Sequence, residues 1–292
     1  MKNTLFIIIG IILLASIPLT YYAFHHHNAS NPQQTAPHSA LQKPYKKGPY
    51  QTVINKGTEL YINADVKKSA FAQYLLLYKI NQVTDSIPHD DLVALQARYK
   101  KDPFMRLIDP QKYVADIQFQ RNMEHRGTSD FYTIQNLPGS KDTWDPILLK
   151  ALYCDKTGYD EKDFQTLTSM RENVGGYNDT HYLFALIFLR ENHCYNQNVI
   201  TAEIAKTTRV LTEIEEKEKG FSDIYAERIV MLYWAGFGKD IQKTWIDRIA
   251  HSFTEKYGWD DKGTTTFTAH TTGFSLLALL YYTENKPQQK VY

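Results

Sequence analysis

The chain has 292 residues, of which 43% are hydrophobic and 13% aromatic, so it holds enough apolar material for at least one sizeable core. The formal net charge is +1, but residues 1–58 contain five Lys and no acidic residue, which leaves 28 of the 33 basic residues against all 32 acidic ones. Affinity for nucleic acid depends on clustered Lys and Arg, and this mildly acidic main part therefore excludes nucleic acid as a partner.

The first predicted element is a transmembrane helix at residues 5–24. This stretch contains no charged residue and would span about 30 Å as a helix, the thickness of a bilayer core. Tyr21, Tyr22 and Phe24 at its end are typical of an interfacial aromatic belt. A cleaved signal peptide is the alternative, but it needs small residues before the cleavage site, and this segment runs into aromatic residues instead. Residues 1–24 are therefore predicted to be a membrane anchor.

The charges that flank this helix predict its orientation. Lys2 and the amino terminus lie on one side, and no Lys or Arg follows on the other side until Lys43. This bias predicts a cytoplasmic N-terminus and a main domain outside the cytoplasm, either periplasmic or extracellular. Residues 25–50 hold four Pro and few large aliphatic residues, which predicts a flexible linker. His25–His27 could bind a metal ion, but we favour a chance run at the headgroup boundary.

Residues 51–292 are predicted to form one all-α domain. Ile241, Trp245, Ile249 and Phe253 recur every four residues, as in a helix with one apolar face, whereas residues 225–234 are apolar on several faces. Helices of these two kinds alternate, which indicates a double layer with buried inner helices and outer helices that face water. Helices are predicted near residues 66–83, 88–101, 111–125, 145–155, 161–173, 180–193, 199–218, 222–236, 239–256 and 271–284.

The two cysteines, Cys154 and Cys194, both lie in apolar surroundings. No Cys-x-x-Cys is present, so a zinc or redox motif built on cysteine is excluded. We favour two buried free thiols, and a disulfide is the alternative that an oxidising compartment allows.

A faint internal repeat joins two glycine-containing loops to the helices that follow them. The first loop is Gly175-Gly176-Tyr177-Asn178-Asp179-Thr180-His181, and an Ala/Leu-rich helix follows it. The second is Gly258-Trp259-Asp260-Asp261, which leads after a short insertion into His270-Thr271-Thr272 and another such helix. Repeated units of this kind indicate stacked helical hairpins.

Over roughly residues 140–285 this unit resembles the helix-turn-helix repeat of the α/α toroid superfamily, which includes terpenoid cyclases and protein prenyltransferase β subunits. The resemblance implies an α/α-toroid-like stack of helical hairpins. It does not imply the chemistry of those enzymes. The chain lacks the Asp-x-Asp-Asp acid of the cyclases and the Cys-Gly-Glu-Gln thioester of the macroglobulin-complement proteins, which share the fold. It also lacks the Asp-x-Cys of the prenyltransferase zinc site. Only the later histidine of that zinc site has a counterpart here, His270. We therefore predict no metal site and no cofactor.

Candidate catalytic residues come first from the loop at residues 177–181. Asp179 would orient His181 as a general base. The alternative is that Asp179 or Thr180 caps the following helix and His181 merely belongs to its first turn. Tyr177 in the same loop is a candidate ligand-binding residue.

The second loop supplies Asp260, Asp261 and His270, whose carboxylates and imidazole suit acid–base work. A solvated turn followed by a helix cap is the alternative there. Glu227 is the remaining candidate: because it neighbours Arg228 along a helix, the two side chains diverge, and one would face a cavity while the other pairs with an adjacent helix. A purely structural salt bridge is the alternative. Tyr225 and Trp259 complete the predicted ligand-binding set.

The sequence thus predicts a membrane-anchored extracytoplasmic helical-repeat domain that binds a ligand or a protein partner in a central groove. An enzyme with an α/α-toroid cleft, acting on a polysaccharide or an isoprenoid, is the alternative, and a structural element of an envelope assembly is the third. An enzyme would bring at least two of His181, Glu227, Asp260 and His270 within hydrogen-bond reach in one cavity. A binding module would show an aromatic-lined groove, and a structural element no sizeable cavity.

Overall fold

The computed structural model describes residues 41–64, 71–111, 118–122, 131–135, 144–171, 175–260, 266–286 and 291. Within these ranges most residues are helical, which confirms the all-α prediction. The predicted membrane helix at residues 5–24 lies outside them, and no helix inside them is both long and apolar enough to cross a membrane.

The helices and strands follow one another along the chain with two short 3-10 turns between them, at Pro103–Leu107 and Gly238–Asp240. The helices are α1 (Gln51–Asn63), α2 (Phe71–Thr84), α3 (His89–Tyr99), α4 (Trp144–Leu152), α5 (Cys154–Thr157), α6 (Glu161–Ser169), α7 (Tyr177–Glu191), α8 (Gln197–Lys217), α9 (Asp223–Ala235), α10 (Lys243–His251) and α11 (Ala269–Thr283). The strands are β1 (Gln118–Asn122) and β2 (Phe131–Gln135).

The two strands correct one predicted helix. Residues 111–125 were predicted to be helical, but residues 118–122 form β1, which pairs in antiparallel register with β2 so that Gln118 lies opposite Gln135. The sequence of β2, Phe-Tyr-Thr-Ile-Gln, is rich in aromatic and β-branched residues, which favour strands. Because β1 gains its hydrogen bonds from a partner later in the chain, its own periodicity did not reveal the strand.

Helix α1 was not predicted. Its buried residues Ile54, Gly57, Thr58 and Tyr61 recur at helical spacing, but two of them are small, and the apolar stripe is therefore weak in the sequence. Gly57 is required by close packing, since a Cβ added there would lie 2.7 Å from a ring carbon of Trp259. Within residues 41–50, at the end of the predicted linker, Tyr45 and Tyr50 are also buried, so packed structure begins ahead of α1.

The helices form two layers. Helices α2, α11, α9, α7 and α4 pack side by side, in that order, as an inner row. On the outside, α1 and α10 pack on α11, α8 packs on α7 and α9, and α6 packs on α7. The inner helix α9 is buried at every residue except Ile224, whereas the outer helix α10 buries only three residues. The alternation of helix types in the sequence correctly predicted this double layer.

The inner helices α7, α9 and α11 begin at the same end of the layer, because an outer helix returns the chain between them. The start of α9 is fixed by Ser222, whose Oγ accepts a hydrogen bond from the Tyr225 N–H, and its end by Gly236, whose φ of 100° is left-handed. We call the shared end, defined by Tyr177, Asp223, Glu227 and His270, the N-terminal pole.

A disulfide joins Cys154 of α5 to Cys194, just after α7, with their Cα atoms 6.1 Å apart. The preference for two free thiols was therefore wrong, although both sulfurs lie in buried residues as predicted. The packing of α4 against α7 brings the ends of these two helices together. A separation of 40 residues gave no sign of this contact in the sequence.

Candidate functional site

Four side chains from three helices meet at the N-terminal pole. Asp223 is the first residue of α9 and Glu227 follows one turn later, while His270 is the second residue of α11 and Tyr177 the first of α7. His270 Nδ1 lies 2.9 Å from both carboxylate oxygens of Asp223, and its Nε2 lies 3.7 Å from Glu227 Oε2. The Tyr177 hydroxyl donates a hydrogen bond of 2.5 Å to Asp223 Oδ2.

The acidic residues of the pole are buried beneath the histidine and the tyrosine. Asp223 is 7% exposed and Glu227 2%, whereas the His270 side chain is 31% exposed and Tyr177 is 41% exposed. A solute that approaches the pole therefore meets the imidazole and the phenol first, with two carboxylates directly behind them.

The charges of the pole shift the ionisation of its groups. Burial on its own would raise the pKa of Asp223, but the charge and hydrogen bond of His270 and the hydrogen bond from Tyr177 lower it to about 2. Burial would lower the pKa of His270, but the charge and hydrogen bond of Asp223 and the charge of Glu227 raise it to about 9. The partial positive charge at the start of α9 also favours the Asp223 carboxylate.

Glu227 and Arg228 are neighbours in α9 that differ in their hydrogen bonds. Arg228 binds Glu215 through Nε, Glu218 through Nη2 at 2.8 Å and the carbonyl of Gly175 through Nη1 at 3.0 Å. Glu227 Oε2, on the pole side of α9, is buried and accepts no hydrogen bond from any described residue. A buried carboxylate oxygen without a donor costs on the order of 1–3 kcal/mol or more. The two side chains therefore diverge as predicted, and Glu227 is the one with a carboxylate oxygen that lacks a hydrogen-bond donor.

Three side chains of the pole are close enough to hold a metal ion. Asp223, Glu227 and His270 each offer one ligand atom, and the three atoms lie within 4.8 Å of one another. The sequence predicted no metal ligands, and it named Glu227 and His270 only as candidate catalytic residues. Asp223 was missed as a site residue, although Asp and Glu four positions apart after an N-capping Ser place two carboxylates on one face at a helix start.

The Asp179–His181 pair does not form. Asp179 is fully buried and accepts hydrogen bonds from Arg171 Nε at 2.6 Å and from the Gly175 N–H at 2.5 Å. His181 instead places Nδ1 2.7 Å from the carbonyl oxygen of Tyr177 and its ring 5.5 Å from that of Trp144. Asp179 therefore binds the loop before α7 and does not orient His181, but it is not the helix cap that the alternative proposed, because the N-cap is Gly176.

Two predicted ligand-binding aromatics belong to the core. Tyr225 and Trp259 are both fully buried. The Tyr225 hydroxyl donates to the Trp245 carbonyl at 3.3 Å, and Trp259 Nε1 donates to the Ile249 carbonyl at 2.6 Å. Neither side chain can contact a ligand from solvent, so this part of the predicted set was wrong.

The second predicted loop contributes only His270 to the pole. Asp260 is half-buried next to Trp259 and is not among the clustered donor atoms. Asp261 lies outside the described residues. Of the four residues named for the enzyme hypothesis, the structure brings together Glu227 and His270, at a separation slightly longer than a hydrogen bond.

Two surface clefts lie away from the pole. One, of about 410 Å³, is lined by Tyr233, Tyr281 and Tyr282 at the far ends of α9 and α11. The other, of about 360 Å³, lies between α2 and α3 beside Tyr74 and Tyr78. Comparison with protein-family models, with curated proteins and with solved structures finds no match to this chain, and the α/α-toroid resemblance accordingly stays a prediction.

Proposed function

We propose that this protein is a membrane-anchored, extracytoplasmic helical domain with α/α-toroid-like architecture, and that it binds a ligand at the N-terminal pole. The observation that carries the proposal is the convergence of two buried carboxylates, Asp223 and Glu227, beneath the partly exposed His270 and Tyr177. Ionisable groups with shifted pKa values that gather next to solvent are typical of functional sites.

The extracytoplasmic location is supported from two directions. Residues 5–24 have the length and apolarity of a bilayer-spanning helix, with the only nearby positive charge at the N-terminal side. The Cys154–Cys194 disulfide is the kind of bond that persists in an oxidising compartment and is rare in the cytosol.

The chemistry of the pole selects the kind of ligand. Two carboxylates face one imidazole, so the cluster is anionic even when His270 is protonated. A ligand that presents a positive charge or several hydrogen-bond donors fits such a cluster, since it would satisfy the oxygen of Glu227 that the fold leaves without a donor. An anionic ligand does not fit.

A thermal-melt screen of the full-length protein in detergent tests the proposal. The panel holds amino-sugar oligosaccharides, polyamines and cationic peptides, with prenyl diphosphates as the anionic comparison that should give no shift in EDTA, and each is measured in EDTA and again in zinc chloride. A ligand at 100 times its dissociation constant adds about 2.7 kcal/mol of stability, which for a domain of this size raises Tm by about 5 °C.

Two matched variants tell whether a shift arises at the pole. Asp223→Asn should abolish it. Asp247→Asn should not, although Asp247 also accepts a tyrosine hydroxyl, that of Tyr50 at 2.6 Å. Tyr50 packs against Tyr282 near the other end of α11, so the control lies away from the pole. A panel without any shift, or a shift equal in both variants, would refute the proposed binding site.

An enzyme is a second candidate, because Asp223 and His270 form a hydrogen-bonded carboxylate–imidazole pair, and a His270 whose pKa is raised to about 9 could serve as a general acid at neutral pH. Incubation of the same panel with the protein, followed by mass spectrometry of the products, tests it. Turnover that disappears in His270→Gln would favour the enzyme. Binding without turnover would leave the ligand-binding function alone.

A further inference from the structure

We infer that Glu227 and His270 bind one divalent transition-metal ion of the zinc class, and that Asp223 orients His270 for it. This rests on the proposed function and deepens it, because it names the ligand that the N-terminal pole takes. The three residues come from two inner helices, α9 and α11, whose starts lie side by side.

The distances fit a single ion. One donor atom from each residue lies within 4.8 Å of the other two, and Glu227 Oε2 is 3.7 Å from His270 Nε2. Two ligands that are each about 2.1 Å from a tetrahedral ion are about 3.4 Å apart. Side-chain adjustments of a few tenths of an ångström therefore close the site between Glu227 and His270, and no backbone movement is needed.

The histidine is already oriented as a metal ligand. A ligating imidazole gives one nitrogen to the ion and donates its other N–H to a carboxylate or carbonyl. Nδ1 of His270 contacts Asp223 at 2.9 Å, which directs Nε2 toward Glu227. Asp223 is therefore a positioning residue that holds the imidazole through Nδ1, and its own contact with the Tyr177 hydroxyl keeps it in place.

Glu227 gives independent evidence of a ligand. Its residue is 2% exposed and its Oε2 accepts no hydrogen bond from the described residues, while the nearest cationic group is the His270 ring. The neighbouring Arg228 differs, since the fold pairs it with two carboxylates and a carbonyl; Glu215 Oε2 also lacks a hydrogen bond, but Glu215 is held by Arg228 through Oε1. An ion between Glu227 and His270 supplies the partner that Glu227 Oε2 lacks.

The donor set also selects the ion. An imidazole and a carboxylate, with water in the remaining positions, suit zinc, manganese and ferrous iron, whereas calcium and magnesium prefer oxygen ligands alone. The partial positive charge at the start of α9 and α11 opposes any cation, but two full carboxylate charges at the same place outweigh it. His270 is 31% exposed, which leaves a path from solvent to the site.

Isothermal titration with zinc chloride, on full-length protein stripped with EDTA, tests the inference. The background protein carries His25→Gln, His26→Gln and His27→Gln, because that triplet could bind zinc by itself. We expect one zinc ion per chain. Glu227→Gln and His270→Gln each remove a direct ligand and should weaken binding by about 100-fold or more, beyond the roughly 10–100-fold that the loss of an outer-shell partner costs. His181→Gln, a histidine of α7 outside the cluster, should change affinity less than about 2-fold.

Two further measurements check that the variants fold and that the metal site has the expected geometry. Glu227→Gln removes a buried carboxylate without a hydrogen bond on Oε2, so its Tm in EDTA should equal or exceed that of the background protein. Cobalt substituted for zinc should give the visible absorption of a low-coordinate site in the background protein and not in Glu227→Gln. Equal zinc affinity in the background and in Glu227→Gln, or the absence of stoichiometric binding, would overturn the inference. If zinc fails while an organic ligand still gives a shift that Asp223→Asn removes, only the metal inference falls.

Discussion

The disulfide between Cys154 and Cys194 makes a strong prediction about stability. The bond closes a loop with a sequence separation of 40 residues. In the chain-entropy relation, a loop of this length removes about 13 cal/mol/K of entropy from the unfolded chain, which is about 4 kcal/mol at 25 °C. The double variant Cys154→Ala/Cys194→Ala should lose about that much free energy of unfolding.

Circular dichroism during heating measures the loss. A packed region of about 250 residues unfolds with an entropy of about 0.5 kcal/mol/K, so the double variant should melt about 7 °C below the wild type. A phosphine reductant added to the wild type should produce the same decrease. The same reductant should leave the double variant unchanged, and this is the control for effects of the reductant on the rest of the chain.

Thiol titration gives the result that would refute this reasoning. Wild-type protein unfolded in guanidinium without reductant should contain no thiol that reacts with Ellman's reagent. Two reactive thiols per chain, together with a Tm that does not respond to the reductant, would show that Cys154 and Cys194 are free. The support that the disulfide gives to an oxidising location would then disappear as well.

Three further perturbations test the packing and the buried charges. Gly57→Ala should destabilise the fold by about 1–3 kcal/mol, because its Cβ would lie 2.7 Å from Trp259, and urea unfolding measures the difference. Arg228→Met should cost about 3–5 kcal/mol, since it leaves Glu215 buried without its partner. Burial lowers the pKa of Lys79 from 10.5 to about 8. Between pH 8 and pH 10.5 the unfolded chain therefore keeps a proton on Lys79 that the folded chain has lost. Unfolding free energy should therefore rise by about 3 kcal/mol from pH 8 to 10.5.

Each of these has a matched comparison. Gly220→Ala introduces a Cβ with no atom within 4 Å, so its effect should stay within about 0.5 kcal/mol, and an equal effect at both glycines would contradict the packing reason. The double variant Arg228→Met/Glu215→Met should recover most of the stability that Arg228→Met loses. In Lys79→Met the extra rise with pH should vanish, and a rise of the same size in that variant would assign it to other groups.

The sequence predicted those helices best whose boundaries are set by local chemistry. Helix α9 was expected at 222–236 and is found at Asp223–Ala235, because Ser222 caps it and Gly236 ends it. Its apolar character on all faces also correctly indicated an inner position. Helix α1 was not predicted because two of its buried positions hold the small residues Gly57 and Thr58. It is held in place by packing on Trp259 and α11, which lie far along the chain. Strand β1 depends in the same way on β2.

The site was less predictable than the fold, because it too depends on contacts between distant parts of the chain. Glu227 and His270 were named separately, but their contact depends on α9 and α11 starting at one end of the inner row, which no local pattern encodes. Aromatic residues were misleading, since an indole or phenol can satisfy its polar atom inside a core as well as at a surface. Trp259 does so with the Ile249 carbonyl.

The contrast within α9 ties the fold to the site. Arg228 binds Glu215 and Glu218 at the end of α8 and also the carbonyl of Gly175, just before α7. This ion pair therefore fixes the start of α7, where Tyr177 contacts Asp223, relative to the start of α9. One residue earlier, Glu227 makes no comparable contribution, and its Oε2 stays without a hydrogen bond beside His270. Glu215 Oε2 also lacks a hydrogen bond, but Glu215 is paired with Arg228 through Oε1. Glu227 has only the His270 ring as a cationic neighbour, so the start of α9 carries one charge that the fold pairs and one that faces the pole.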